Sequence, residues 1–402
     1  MNKNDKIRQS FLETRNRRKT QRCVVYTIKL VQNKLNKKQQ EQLKMLFVES
    51  KWLANDILNF SENQPINDYK ITNFVNYKNK DGSFETKELK YIGSQMKQSV
   101  YTDIIGNIKG LKKLKDHNHK VGKIKYKSDY KSINLKQFGV TYKIIDKNNV
   151  KIQNINGNLY TKGLKQIPND VEFANAKLLN TPKGYYLAIT CYKKKEELIP
   201  SINESIGIDM GIKNSLIMSN GKIINISIQE TDKLKKLQNQ LLRKKKGSKN
   251  RYKIIHKIQA EYQHINNKKR DITNKIFAEL NQYQHVIIQD EMLTKWKETY
   301  FGKQIQHSIL GRIKSKIVEA SKSNKKYIVI SKKYKTTQMC CECGNIQPMK
   351  LSDRTYECPI CDNIIDRDIN SAKNILKIGL ERIELKPVES KSVKQEATKS
   401  LV

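Results

Sequence analysis

The sequence lacks any run of about eighteen consecutive apolar residues, the length a bilayer demands of a spanning helix, so no membrane span is expected. Its first stretch, MNKNDKIRQSFLETRNRRKTQR, lacks the apolar central region of a secretory signal. Acidic residues are scarce: 39 Asp and Glu stand against 79 Lys and Arg, a net charge of +40. That excess is far beyond what solubility requires and predicts a polyanionic partner, although an AT-rich coding bias, which raises Lys, Asn and Ile together, supplies part of it. Cysteine is sparse as well, seven in all. Four of these fall into two close pairs, leaving Cys23, Cys191 and Cys341, and an odd remainder fits a reducing cytoplasm better than a disulfide framework.

What is present is enough for two or three domains, 402 residues with a sizeable core and nineteen Tyr available for stacking on unpaired bases. Residues 1–22 form a basic extension of short helical character with a dense cluster at Arg15, Arg17, Arg18 and Lys19, read either as a nucleic-acid arm or as a solvated terminus. Cys23–Leu30 (CVVYTIKL) is β-branched and reads as a strand. Asn36–Phe60 repeats Leu43, Leu46, Phe47, Leu53 and Ile57 at near-helical spacing, with Trp52 beside that face as core. Ser61–Lys90 is polar and loop-rich, and Tyr91–Lys115 is helical again. Between 121 and 195 the period shortens. KIKYKS, SINLKQFGVTYKII, NVKIQNIN, VEFANAKLL and GYYLAITCYKK read as strands of a small β-barrel, interrupted in sequence by the helices of 36–115.

From Ser205 the pattern is α/β. SIGIDMGIKNSLIMSNGKII predicts a buried strand, a tight turn and a second strand. Residues 230–282 are helical with a break near Gly247-Ser248. There the basic turn Arg243, Lys244, Lys245, Lys246, Lys249 and Arg251 suits phosphate contact better than a merely solvated hairpin tip. His285–Ile288 predicts a strand ending in Gln289-Asp290-Glu291, 304–323 a helix, and Tyr327–Ser331 another strand. Cys340/Cys343 and Cys358/Cys361 are two Cys-x-x-Cys pairs fourteen residues apart, the four-thiolate set of a structural zinc, with Cys341 at the wrong spacing to join it.

Asp209 sits inside an apolar run, where a carboxylate needs a partner or a metal. Asp209, Glu291 and Asp368 all fall at strand ends or a helix start, and alternating strands and helices can bring them together. Three such carboxylates suit hard divalent cations at a phosphodiester; the alternative is three unrelated surface acids.

GIDMG, QDEML, the two Cys pairs and DRDINSAKNIL together resemble the three motifs of a RuvC-like nuclease with an inserted zinc ribbon, in the order found in the TnpB (OrfB) family and in the miniature type V CRISPR effectors related to it. The resemblance implies an α/β plus all-β protein. Its RuvC-like (RNase H-like) nuclease domain would span 201–335 and 362–380, with the zinc ribbon at 336–361 and a disordered tail at 381–402. A wedge β-barrel at 23–35 and 116–200 would be interrupted by a helical recognition domain at 36–115. It further implies an RNA-guided DNA endonuclease: guide RNA pairs with double-stranded target DNA beside a short flanking motif, and one site cuts both strands using Mg2+ or Mn2+, alongside one Zn2+. The expected setting is prokaryotic cytoplasm at the nucleoid, as a monomer or a homodimer on RNA. A transposon-encoded nuclease is the favoured form, with a CRISPR effector or a cleavage-deficient repressor as alternatives; retention of all three acids argues against the repressor. Aligned on the family motif, Glu291 rather than Asp290, and Asp368 rather than Asp366, is the metal-binding acid; Asp366 is left to cap the following helix. A strand transposase using His-x-His and a Tyr nucleophile finds only His117-Asn118-His119, which reads as a Lys-rich surface turn.

Overall fold

The computed structural model describes residues 3–79, 82–195, 200–212, 215–226, 228, 230–300, 302–322, 324–350 and 352–384; the tail expected to be disordered lies almost wholly outside them. The chain divides into two compact units, Met1–Glu196 and Glu197–Val402.

In the first unit the basic helix α1 (Lys3–Lys19) leads into β1 (Gln21–Leu30), which is followed by α2 (Lys37–Asn63), the hairpin β2 (Phe74–Lys78) and β3 (Phe84–Glu88), and α3 (Ser94–Asp116). Six more strands complete it: β4 (Ser132–Leu135), β5 (Tyr142–Ile144), β6 (Asn149–Ile152), β7 (Leu159–Lys162), β8 (Glu172–Thr181) and β9 (Gly184–Lys194). They form one antiparallel sheet in the order β4-β8-β9-β1-β7-β6-β5. The sheet curls until its two ends nearly meet. Tyr142 on β5 donates its hydroxyl to the Ala174 carbonyl of β8 at 2.7 Å, and Phe138 stacks on Phe173. Ile28 and Leu30 of β1 point into the core with Leu43, Leu46, Ile57, Met96 and Ile104 of the helices. Asn36 and Gln39 form a reciprocal capping box that starts α2. Within α2, the buried Glu49 carboxylate accepts the N–H groups of Lys90, Tyr91 and Ile92 at 2.7–2.9 Å and fixes the approach to α3.

Two expectations fail here for local reasons. KIKYKS forms no strand, because the Asn55 side chain takes both backbone groups of Lys127 (2.7 and 3.0 Å) in place of a ladder partner. The segment read as loop-rich holds the β2–β3 hairpin, in which only Val75 is buried, so no alternating apolar signal marks it.

The second unit is built on β10 (Ile206–Met210), β11 (Leu216–Met218), β12 (Ile223–Ile224), β13 (Val286–Gln289) and β14 (Tyr327–Ile330), in the order β12-β11-β10-β13-β14. β10, β11 and β12 form an antiparallel meander, whereas β13 and β14 run parallel to β10. Between β12 and β13 come α4 (Asp232–Leu242) and α5 (Lys249–Leu280). Between β13 and β14 lie α6 (Leu293–Lys297), α7 (Gly302–His307) and α8 (Leu310–Ser321). The single helix expected over 304–323 is thus two, parted where the Ser308 hydroxyl bonds the Ile305 carbonyl.

Alternation along the strands separates two cores. Ile206, Ile208, Val286 and Ile288 pack with Ile265, Leu280, Ile313 and Ile317 of α5 and α8. On the opposite face Ile287 and Ile330 meet Ile375 and Ile378 of α9 (Arg367–Glu384). That helix lies so close to the sheet that Gly207 and Gly379 have no room for a side chain. A Cβ on Gly207 would fall 2.6 Å from the Leu376 nitrogen and closer still to the Ala372 carbonyl, and one on Gly379 would fall 2.5 Å from Cγ2 of Ile287. The short hairpin β15 (Thr355–Glu357) and β16 (Ile364–Asp366) carries the second Cys pair and runs straight into α9. Its two strands pair antiparallel, with Thr355 opposite Asp366 and Glu357 opposite Ile364.

Candidate active site

Asp209 shares the strand face of Gly207, so its side chain is directed at α9, where Asp368 occupies the first turn. Glu291 follows the end of β13, the strand next to β10. The two neighbours of these acids are accounted for otherwise. Asp366 is exposed and its Oδ1 accepts the N–H groups of Asp368 (2.9 Å) and Ile369 (3.0 Å), a helix cap. Asp290 is exposed and its carboxylate pairs with Lys314 at 2.6 Å. Asp209, Glu291 and Asp368 are each half-buried.

Enclosure among like charges sets the electrostatics. Burial first, then the charges of Asp368 and Glu291, push the Asp209 carboxyl up to about 7 against hydrogen bonds from the Met210 N–H and the Ser371 hydroxyl. Burial also raises Glu291, opposed by the nearby Lys314 and reinforced by Asp290. Asp368 is paired with Arg367, with Nη2 3.0 Å from Oδ1. A buried carboxylate disfavoured by two others is the donor set that a hard divalent cation relieves, because the ion supplies the missing positive charge.

Residues that the sequence reading left without a role hold these acids in place. The Ser371 hydroxyl lies between Asp209 and Thr336 Oγ1 (3.1 Å); Thr336 in turn donates to Gln289 Oε1 (2.9 Å). Gln289 Nε2 donates to the carbonyls of Ser331 (3.2 Å) and Tyr334 (2.8 Å). Its amide is therefore a clamp within the fold. Asn370 and Asn374, both fully buried, donate to the Met339 carbonyl at 2.7 and 2.6 Å and bind α9 to the chain entering the first Cys pair. The available signal was a row of small polar residues on the buried side of an amphipathic helix.

The four sulfurs of Cys340, Cys343, Cys358 and Cys361 all lie within 4.8 Å of one another, and among the described residues they form the one Cys, His, Asp and Glu set so gathered. The three carboxylates are more widely spread. Each Cys pair is closed by the same turn: Gly344 and Asp362 return their N–H groups to the Cys340 and Cys358 carbonyls, both at positive φ (78° and 56°). This cluster fits a zinc ribbon, and Cys341 stands outside it.

The basic residues divide. Arg17 and Arg18 bind Glu172 at 3.1 and 2.8 Å, and the Arg18 guanidinium lies 3.3 Å over the Tyr192 ring. Arg251 donates to the carbonyls of Leu241 and Lys244, closing the turn between α4 and α5. Arg15, Lys19, Arg243, Lys244, Lys245, Lys246 and Lys249 are exposed. His117 to His119 follow α3 as an exposed turn.

Residues 189–292 match the OrfB_IS605 family model, described as "Probable transposase", and residues 311–375 match the "Cas12f1-like, TNB domain" model. The chain is TnpB-like. Its relatives include a "Putative RNA-guided DNA endonuclease" of Streptomyces pristinaespiralis, 29% identical over 188 residues, or 45% of this chain and 46% of that one. TnpB-like protein L79 of Acanthamoeba polyphaga mimivirus is 26% identical over 209 residues, 44% and 38% of the two chains. The chain spans about half the length of the curated relatives it matches. A Cas12f1 chain from a cryo-EM complex with sgRNA and target DNA aligns loosely, with TM-score 0.41 at 14% identity over 84% of this chain and 82% of that one. The first of the two family-model matches takes in Asp209 and Glu291, and the second takes in Asp368 and all four clustered cysteines. Among the described residues no helix is long and apolar enough to cross a membrane.

Proposed function

We propose that this TnpB-like chain is an RNA-guided DNA endonuclease whose cutting site is Asp209, Glu291 and Asp368. The observation that carries the reading is the packing of β10 on α9, which turns Asp209 toward the helix whose first turn bears Asp368, with Glu291 just past the end of the neighbouring strand β13. Magnesium or manganese bound by these three acids would activate water and neutralise charge at the phosphodiester. The protein's own part is placement. Close packing of α9 on Gly207 sets Asp368 against Asp209, and the Lys314 ammonium, 2.6 Å from both the Glu291 carbonyl and Asp290 Oδ1, fixes the turn that carries Glu291.

Support for nucleic-acid partners comes from the +40 charge, from the exposed cluster Arg243–Lys246 with Lys249, and from the relatives' names. Guide RNA pairing supplies sequence specificity, while the first unit, as wedge and recognition domains, reads a short flanking motif in the duplex. One zinc at the four cysteines is structural. The protein works at the nucleoid in prokaryotic cytoplasm, as a monomer or a homodimer on RNA. The test is purification from a host carrying the neighbouring DNA. A discrete structured RNA should copurify, and replacing its guide segment should move the cut to the matching target. Cutting that ignores the guide would overturn the proposal.

A further inference from the structure

Between β14 and the first Cys pair runs Ser331-Lys332-Lys333-Tyr334-Lys335, a loop the catalytic reading does not use. It begins beside the site: the Asp290 N–H bonds the Ile330 carbonyl at 3.0 Å, and Lys332 Nζ lies 2.8 Å from the Met292 sulfur, one residue beyond Glu291. Most loops bearing lysines are free to move, but this one is held from below. The buried Gln289 amide grips the carbonyls of Ser331 and Tyr334, and Thr336, also buried, grips Gln289 in return. With the Ser331 and Tyr334 carbonyls held by Gln289, the loop leaves the side chains of residues 332–335 exposed. Lys332, Lys333, Tyr334 and Lys335 are all exposed; the Lys332 charge also acts on the Glu291 carboxylate, which sets this end of the loop against the site. The Tyr334 ring is presented at 40% exposure with the Arg382 guanidinium 5.6 Å from its centroid. A rigid backbone carrying an aromatic face between exposed cations is the combination that holds single-stranded nucleic acid: bases stack on the ring while phosphates meet the ammonium groups.

We infer that this loop is the seat for the unpaired DNA strand presented to the acids, with Tyr334 stacking a base and Lys332, Lys333 and Lys335 contacting flanking phosphates. The inference rests on the endonuclease reading for the identity of the strand, but its chemistry requires only a single-stranded nucleic acid. The test uses the full chain carrying Glu291→Gln, so that binding is read without cutting. A short oligodeoxythymidine with one 5-bromodeoxyuridine is irradiated on the protein and the cross-linked peptide identified. The expected peptide contains Tyr334. Affinity for the unmodified oligonucleotide should fall about tenfold in Tyr334→Ala and be kept in Tyr334→Phe. Replacing the three lysines by Gln should reduce the slope of log affinity against log salt by about two. Cross-links only elsewhere, or wild-type affinity in Tyr334→Ala, would overturn the seat. Since none of these readouts needs a guide or a cut, failure of guided cleavage in the unmutated protein would strike the endonuclease reading and leave this result standing.

Discussion

Gly207→Ala puts one methyl group between β10 and α9. The added carbon would sit 2.6 Å from the Leu376 nitrogen and 2.8 Å from its Cβ, with the Ala372 carbonyl nearer still. Ordinary contact begins near 3.4 Å, so the helix must retreat by close to 1 Å. Two of the three obstructing atoms are backbone of α9, so no rotamer change relieves the clash. Overpacking of this kind costs about 1–3 kcal/mol, and the backbone obstruction places it at the upper end. For a unit of this size, about 3 kcal/mol lowers Tm by roughly 6–12 °C. Asp368 rides on the retreating helix, and a misplacement of about 1 Å costs on the order of a hundredfold in rate. The comparison variant is Gly379→Ala, whose Cβ would fall 2.5 Å from Cγ2 and 3.1 Å from Cβ of the buried Ile287, an overpacking that also costs about 1–3 kcal/mol but lies about three turns along α9 from Asp368, so its loss of cutting should be smaller than that of Gly207→Ala. Thermal melts and guided cleavage of both proteins provide the assay. Gly207→Ala melting within about 2 °C of wild type and cutting at its rate would refute the packing argument.

Cys358→Ser should drop metal content below one zinc per chain and lower the melting temperature of the second unit. It should also slow cutting, because β16 passes directly into the helix bearing Asp368; elemental analysis, melts and cleavage assays check all three, and full zinc occupancy with unchanged stability would defeat the assignment. Asp366→Ala should cost only a helix cap, about 1 kcal/mol of stability, and keep substantial cutting, whereas Asp368→Ala should abolish cutting while target binding persists. The reverse order in a cleavage assay would show the two acids exchanged.

The parts of the fold that declared themselves in the sequence were those whose signal is local. IGIDM and VIIQ are short, wholly apolar runs apart from one polar group each, as strands buried on both faces must be. The α4–α5 break was visible at Gly247-Ser248, where Gly247 takes φ 81° and Ser248 caps α5 through the Arg251 N–H. The Cys spacing announced the ribbon. What stayed hidden depended on distant partners. Nothing near Arg17 or Arg18 in sequence shows that Glu172 awaits them, and a charge cluster looks the same whether or not its own fold consumes it. KIKYKS alternates like a strand but loses its ladder to Asn55 on a remote helix. Gln289 is simply the first polar residue at a strand end in the sequence; only its three hydrogen bonds place it under the 331–335 loop.

The central claim is that Glu291, with Asp209 and Asp368, does the cutting, and that Asp290 beside it does not. Glu291 is half-buried and raised in company with Asp209, while Asp290 points outward to Lys314. The decisive measurement is guided cleavage in magnesium by Glu291→Gln and Asp290→Asn proteins, each checked for binding of the same target. The account predicts a Glu291→Gln protein that binds and does not cut, and an Asp290→Asn protein that cuts measurably, because the Asn amide oxygen can still accept from Lys314, which also keeps its bond to the Glu291 carbonyl. An Asp290→Asn protein that is dead beside a Glu291→Gln protein that cuts would contradict it.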